Sequence, residues 1–179
     1  EREMRGVRGG DIAMIFQEPM TALNPLMTVG RQISEVLELK QALTQAQSWQ
    51  AAIELIASTG IPEPERRAAA FPHQLSGGQR QRAMIAMALA SRPKLLLADE
   101  PTTALDVTLR GQILELLADL QRQTGMAVLL ITHDLNLVRR FADRVAVMEQ
   151  GVLVEQGPVA GIFQAPQHAY TRRLIASQP

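Results

Sequence analysis

The stretch Lys94–Glu100, which reads KLLLADE, is a short aliphatic run that ends in two carboxylates. A second aliphatic run, AVLLIT, occupies residues 127–132. Between the two, residues 106–124 carry apolar side chains at helical spacing, and Gly125 follows where a helix commonly ends. Nearly continuous aliphatic runs are typical of strands buried on both faces of a parallel sheet, so this strand–helix–strand order predicts an α/β layered core.

The regions on either side extend this pattern. Before the core, a strand is predicted over residues 11–16 (DIAMIF), and residues 28–92 form a block of helical periodicity interrupted by prolines. After the core, the pattern predicts a helix over 135–142, a hairpin over 144–157 with its turn at Gln150-Gly151, and short helices over 159–164 and 169–177.

Composition excludes several classes of function. Eighteen Lys and Arg residues balance eighteen Asp and Glu residues, and aromatic residues make up 3% of the chain, so no nucleic-acid partner is expected. The absence of cysteine excludes disulfides, thiol catalysis and iron–sulfur clusters. No apolar run approaches the roughly 18 to 20 residues that cross a bilayer, and the charged first residues are unlike a signal peptide. We therefore expect the chain itself to be cytoplasmic.

Polar side chains follow three of the predicted strands. Asp99 and Glu100 end one strand, Gln17 follows the first, and His133 follows the strand that contains AVLLIT. Ligands bind open α/β sheets at the carboxyl ends of their strands, where Asp99 can hold Mg²⁺ and Glu100 can orient or deprotonate a water molecule. Taken singly, the acidic pair can also be a helix cap, the histidine a structural hydrogen-bonding group and the glutamine an ordinary loop residue.

The segment Leu75–Arg82, LSGGQRQR, begins a predicted helix with two consecutive glycines. Each glycine costs about 1 kcal/mol relative to alanine in a helix. A capping box explains Ser76 and Gln79 and leaves Gly77 and Gly78 unexplained. Glycines at a helix N-terminus expose backbone N–H groups, so that a phosphate can approach the positive end of the helix. Phosphate binding therefore accounts for all four residues.

In their order and spacing, these segments resemble the ATP-binding subunit of ABC transporters. Gln17 matches the Q-loop, LSGGQ the signature motif, LLLADEP the Walker B motif, Ala104-Leu105-Asp106 the D-loop, and His133 the switch histidine. The resemblance implies catalytic roles for Glu100, His133 and Gln17, binding of ATP by Ser76, Gly77, Gly78, Gln79 and Asp106, and binding of Mg²⁺ by Asp99 and Gln17.

The resemblance also implies the P-loop NTPase (RecA-like) fold with a mostly parallel sheet. Residues 1–27 would supply part of the core with the Q-loop, residues 28–92 an inserted helical subdomain, and residues 93–179 the rest of the core with a hairpin and helices. No G-x-x-x-x-G-K-[ST] segment occurs in the sequence. We therefore expect an N-terminally incomplete core, which is the carboxy-terminal portion of a longer ATPase and inactive alone.

In this family, two ATPase domains associate head to tail, and the signature motif of one closes over nucleotide held by the other. The resemblance therefore implies ATP and Mg²⁺ as cofactors, with a second ATPase domain and an integral membrane permease as partners. The runs IFQEPMTALNPLMTVGRQISE and HAYTRRLI are similar to ATPases of oligopeptide, dipeptide and nickel importers. That similarity implies import, a substrate-binding protein as an indirect partner, and a peripheral position at the cytoplasmic face of the cell membrane.

Two alternatives stay open at this stage. One is an ABC-type ATPase that serves no transporter, such as a DNA-repair or translation-associated ATPase. The compact helical block and the absence of a basic patch disfavour it. The other is a non-catalytic module that donates only its signature helix to a partner's site. Stimulation by a permease separates the first alternative from a transporter subunit, and a P-loop encoded upstream separates the second.

Overall fold

The computed structural model describes residues 4, 7–18, 22–103 and 105–177 of the chain. Two compact units are present, Glu1–Ile131 and Thr132–Pro179. The elements of the first unit are β1 (Ile12–Ile15), α1 (Val29–Gln41), α2 (Gln45–Ser58), α3 (Pro64–Ala68), a 3₁₀ turn (Pro72–Gln74), α4 (Gly77–Leu89), β2 (Leu95–Asp99), α5 (Val107–Thr124) and β3 (Ala127–Ile131). Those of the second unit are α6 (Leu135–Phe141), β4 (Arg144–Glu149), β5 (Val152–Pro158), α7 (Val159–Gln164) and α8 (Ala169–Ala176).

The first unit is built on a parallel sheet in which β2 lies between β1 and β3. The register pairs Ile15 with Ala98 in one ladder and Asp99 with Ile131 in the other. The α/β class and the parallel sheet predicted from the sequence are therefore confirmed. All three strands point the same way, so their carboxyl ends lie at one edge of the sheet.

The two faces of this sheet differ in burial, which corrects one sequence-based expectation. On one face, Ile15, Leu96 and Ala98 are fully buried. On the other, Leu129 is 51% exposed and Ile131 is 47% exposed, so the prediction that the strand at 127–132 is buried on both faces is wrong. Successive side chains of a strand point to opposite faces of the sheet, so Leu129 and Ile131 lie together on the less covered face.

Helices α1 to α4 pack around a shared apolar cluster whose fully buried members include Ile33 and Ile56. Helix α2 begins at Gln45, where Thr44 and Gln47 form a capping box. Helix α3 begins at Pro64, which the sequence pattern treats only as a break. Proline is favourable at the first position of a helix, where its missing N–H has no partner to lose. The assignment of residues 28–92 to a subdomain stays a prediction.

The segment Asn24–Met27, just before α1, is held by one buried side chain. The Asn24 N–H donates to Gln32 Oε1 at 2.8 Å, and Gln32 Nε2 donates to the carbonyl oxygens of Asn24 and Met27 at 3.0 Å each. The Asn24 side chain also accepts the N–H of Leu26 at 3.0 Å. These contacts satisfy backbone groups that have no strand or helix partner, and they fix the segment to α1.

In the second unit, β4 and β5 form the predicted antiparallel hairpin. Its turn residues Gln150 and Gly151 both have positive φ, as the type I′ hairpin turn requires. Both oxygens of the Glu155 carboxylate on β5 accept backbone N–H groups ahead of α8, from Gln167 at 2.7 Å and from His168 at 3.0 Å. The strand therefore anchors the start of the last helix.

No helix in the described ranges combines the length and the apolar character that crossing a membrane requires.

The anchor at Glu155 predicts a pH-dependent contribution to stability. The Thr171 hydroxyl, together with the N–H groups of Gln167 and His168, favours the ionised carboxylate and holds the pKa of Glu155 below its usual value of 4.5. A lowered folded-state pKa stabilises the fold above the unfolded-state pKa, and this contribution is lost as the pH falls through the folded-state value. We expect Glu155→Gln to lower the melting temperature near neutral pH, and the difference from the unaltered chain to shrink below about pH 4.

Thermal unfolding followed by circular dichroism across this pH range provides the measurement. Glu54→Gln is the matched control, because Glu54 is exposed and its one side-chain hydrogen bond within the described part of the chain comes from the Gln50 amide at 3.3 Å. A melting-temperature difference for Glu155→Gln that is the same at acidic and neutral pH would contradict the anchoring role.

Candidate functional site

The turn after β2 is strained and is held from two sides. Glu100 has a φ of 45°, a left-handed conformation that residues other than glycine rarely adopt. Its N–H donates to the carbonyl of Ile131 at 2.9 Å, and the Thr103 hydroxyl donates to its carboxylate at 2.7 Å. Strained positions of this kind persist only where neighbours fix them, and they cluster at functional sites. The sequence pattern predicts Glu100 as a site residue but does not predict its contacts with Ile131 and Thr103.

Asp99, the last residue of β2, is half-buried, and its side chain makes no hydrogen bond or ion pair with any other residue of the described ranges. No group of three or more His, Cys, Asp or Glu side chains in those ranges could hold a metal ion by itself. Mg²⁺ commonly uses one or two carboxylates and completes its octahedral shell with waters and substrate phosphates. A single partly buried carboxylate at the strand end fits that kind of site.

Gln17 is exposed and follows β1 by two residues. Ile15 pairs with Ala98, so β1 and β2 end at the same edge of the sheet. Gln17 therefore follows β1 at the edge where Asp99 and Glu100 follow from β2. His133 follows β3 by two residues and belongs to the second unit, where its neighbour Asp134 caps α6. The roles assigned to Gln17 and His133 stay predictions.

The turn Leu75–Gly78, called the signature turn below, forms the start of α4. The capping box predicted from the sequence is present: Ser76 Oγ accepts the N–H of Gln79 at 3.3 Å, and Gln79 Oε1 accepts the N–H of Ser76 at 3.1 Å. A Cβ at Gly77 would meet no atom of the described residues within 4 Å, so packing among them does not require a glycine there. A Cβ at Gly78 would lie 3.3 Å from a methyl carbon of Leu109 on α5.

Helix α5 begins in the same way as α4. Asp106 Oδ1 accepts the N–H of Leu109 at 2.9 Å, and Arg110 Nε donates to the Leu105 carbonyl at 2.9 Å. In α4, Arg80 Nε donates to the Leu75 carbonyl at the same distance of 2.9 Å. The segments LSGGQR and LDVTLR share one spacing. Each begins with leucine, continues with a capping Ser or Asp, and has arginine four residues after the cap.

The close approach of Gly78 and Leu109 brings these two helix starts together within the first unit. The signature turn and the Asp106 cap are therefore neighbours, although their roles in binding nucleotide stay predictions. Asp106 already serves as a helix cap through its carboxylate. Ala104, the first residue of the predicted D-loop, lies outside the described residues.

Comparison with known proteins gives matches over the whole chain. Residues 2–103 match the family described as ABC transporter. The chain is 65% identical over 179 residues to the peptidoglycan transport ATP-binding protein YejF of Agrobacterium fabrum, and 56% identical over 179 residues to the oligopeptide transport ATP-binding protein OppD of Bacillus subtilis. It spans all of its own length in both matches, but only 33% of the first relative and 50% of the second.

Solved structures agree with the fold. A dimeric post-hydrolysis state of the ATP-binding cassette MJ0796, bound to ADP and Pi, matches with a TM-score of 0.76 and 33% identity, covering 89% of this chain and 67% of that one. The cbiO1 protein of Clostridium perfringens, part of an ABC transporter complex, matches with a TM-score of 0.77 and 28% identity, covering 99% of this chain and 66% of that one.

The open space at Gly77 predicts opposite effects of one substitution on stability and on function. We expect Gly77→Ala to leave the free energy of unfolding unchanged or to raise it by up to about 1 kcal/mol, because alanine favours the helix. If the bare backbone serves phosphate binding, the same variant lowers the rate of ATP turnover. Urea unfolding and phosphate release measure the two effects.

Gly111→Ala on α5 is the control, because a Cβ there also meets open space. We expect it to raise stability by a similar amount and to leave turnover unchanged. Full turnover in Gly77→Ala would show that the glycine has no function in phosphate binding.

Proposed function

Because the chain belongs to the ABC transporter family, we propose that the polypeptide carrying it binds and hydrolyses ATP to drive import of peptides through a membrane permease. The observation that carries this proposal is the strained Glu100 beside the half-buried Asp99 at the carboxyl end of the central strand, where the Asp99 carboxylate has no hydrogen-bond or ion-pair partner among the described residues. Such an arrangement suits a base next to a cation site. The two solved neighbours are an ATP-binding cassette and part of an ABC transporter complex, and the two named relatives are transport ATP-binding proteins, which supports the same activity.

Each residue at the strand end has a distinct task in this proposal. Asp99 would hold Mg²⁺, which neutralises phosphate charge when bound. Glu100 orients the attacking water and accepts its proton, while Thr103 and the Ile131 carbonyl keep that carboxylate and its backbone in place. Gln17 and His133 keep the roles that the sequence resemblance implies for them, which are contacts with the attacking water and with the terminal phosphate.

The signature turn acts on a different nucleotide. Its Ser76 hydroxyl and the N–H groups of Gly77 and Gly78 would contact the terminal phosphate of ATP held by a second ATPase domain, arranged head to tail. The positive end of α4 and the unobstructed approach at Gly77 support this assignment. The dimeric state of the MJ0796 structure supports a paired arrangement as well.

Peptide import is the transport function that the relatives support. The names of the two relatives above refer to peptidoglycan and oligopeptide transport, and nickel import stays the second cargo class suggested by sequence. The proposed partners are an integral permease and, indirectly, a substrate-binding protein, with the ATPase peripheral at the cytoplasmic membrane face. The segment from Gln17 to the clamped residues 24–27 leads from the sheet edge to α1, so it can convey closure to the permease.

Glu100→Gln in the polypeptide that carries this chain tests the catalytic assignment. We expect the turnover number to fall by at least about 100-fold, because the amide cannot accept the proton of the attacking water. The affinity for ATP should change little, because Glu100 acts on the water. Phosphate release and the binding of a fluorescent ATP analogue measure the two quantities.

Glu65→Gln on the exposed surface of α3 is the control and should retain full activity. Undiminished hydrolysis by Glu100→Gln would refute the assignment of this residue as base. A polypeptide that binds no ATP would instead favour the signature-donating module.

A further inference from the structure

We propose that Arg82, in the second turn of α4, is a positioning residue that fixes the signature turn relative to α2 and α5 and thereby sets the rate of ATP turnover. The inference rests on the proposed function, because it assigns Arg82 a task in that reaction. Arg82 acts through the helix that carries the turn, since its guanidinium is engaged by α2 and α5.

The guanidinium of Arg82 joins three helices. Its Nη1 donates to the carbonyl of Thr59, the cap residue at the end of α2, at 2.6 Å. Its Nη2 donates to Gln112 Oε1 on α5 at 3.4 Å. Thr59 is fully buried, and a cation at the carboxyl end of α2 is favoured by the helix dipole. The planar fork of arginine can reach both acceptors at once, which an ammonium group cannot reproduce.

The neighbouring Gly60 makes room for this contact. Gly60 has a φ of +75°, and a Cβ on it would lie 2.9 Å from Arg82 Nη1. Any other residue at position 60 would therefore adopt a strained backbone and also press on the guanidinium. The end of α2 is shaped to receive the arginine.

The hydrogen bond from Arg82 to Gln112 joins α4 and α5 at a second position, further along both helices than the close approach at their first turns. Gly78 lies close to Leu109 in the first turns of the two helices, and Arg82 donates to Gln112 about one turn further on. A close approach at one level leaves two helices free to rotate about it, whereas a hydrogen bond at a second level restrains both their spacing and their rotation. The N–H groups of the signature turn point along the axis of α4, so their direction is set by these contacts.

The two hydrogen bonds of the Arg82 guanidinium differ in length and burial, so that experiments can separate their effects. The Thr59 bond is short and partly buried, and the Gln112 bond is long and exposed. Gln112→Ala removes only the exposed hydrogen bond to α5 and leaves the partly buried bond to Thr59, so we expect this variant to fold. Arg82→Lys keeps the positive charge and loses the fork, so it tests geometry rather than charge.

The experiment compares these variants in the polypeptide that carries the chain, with ATP as substrate and a fluorescent ATP analogue as the binding probe. We expect Arg82→Lys to lower the turnover number by about 10-fold or more, because a misplacement of about 1 Å can cost 100-fold in rate. Gln112→Ala should lower it by about threefold. In both, affinity for the analogue should stay within about twofold, because the turn contacts nucleotide held by the partner domain.

Arg31→Ala is the matched control. Arg31 on α1 also contacts two acceptors, Glu38 at 2.9 Å and Glu35 at 3.6 Å, and we expect its loss to lower the melting temperature without lowering the turnover number. A merely structural Arg82 would behave in the same way as Arg31.

Three results would overturn the inference: an unchanged turnover number in both Arg82→Lys and Gln112→Ala, a change confined to the melting temperature, or a loss of rate that matches an equal loss of analogue affinity. A different result, no hydrolysis by the unaltered polypeptide under conditions where it is folded and binds ATP, would instead overturn the proposed function itself.

Discussion

Pairing of β2 with a parallel neighbour on each side is the interaction on which the site depends. The ladder to β3 continues past the last strand residue, because the N–H of Glu100 donates to the Ile131 carbonyl. A residue held in the left-handed region costs on the order of 1–3 kcal/mol, so this bond and the Thr103 contact are needed to keep the turn in place. The geometry around Asp99 and Glu100 is therefore a property of the sheet and not of a separate loop.

The features that the sequence predicts correctly depend on local rules. Hydrophobic periodicity located the strands and helices, and residue spacing identified the box between Ser76 and Gln79. The exposure of Leu129 was missed, because burial depends on which elements pack beside a strand and not on its own composition. The contacts of Arg82 were missed too, since they join residues 23 and 30 positions apart that no spacing rule connects.

Helix α4 illustrates how a costly local sequence is tolerated at a functional position. Gly77 and Gly78 weaken the first turn, and the side chains of Ser76, Gln79 and Arg80 supply the hydrogen bonds that hold it. Helix α5 has a cap and an arginine bond of the same kind but no glycine in its first turn. The capping box of Ser76 and Gln79 is present in α4 but not in α5. It suits a first turn that must stay ordered although its two glycines have no side chains.

The side chain of Gln32 has a mechanical consequence. Its amide makes three hydrogen bonds to the backbone of Asn24 and Met27, so residues 24–27 are tied to α1. A displacement that reaches Asn24 is therefore passed on to α1 instead of being taken up within residues 24–27.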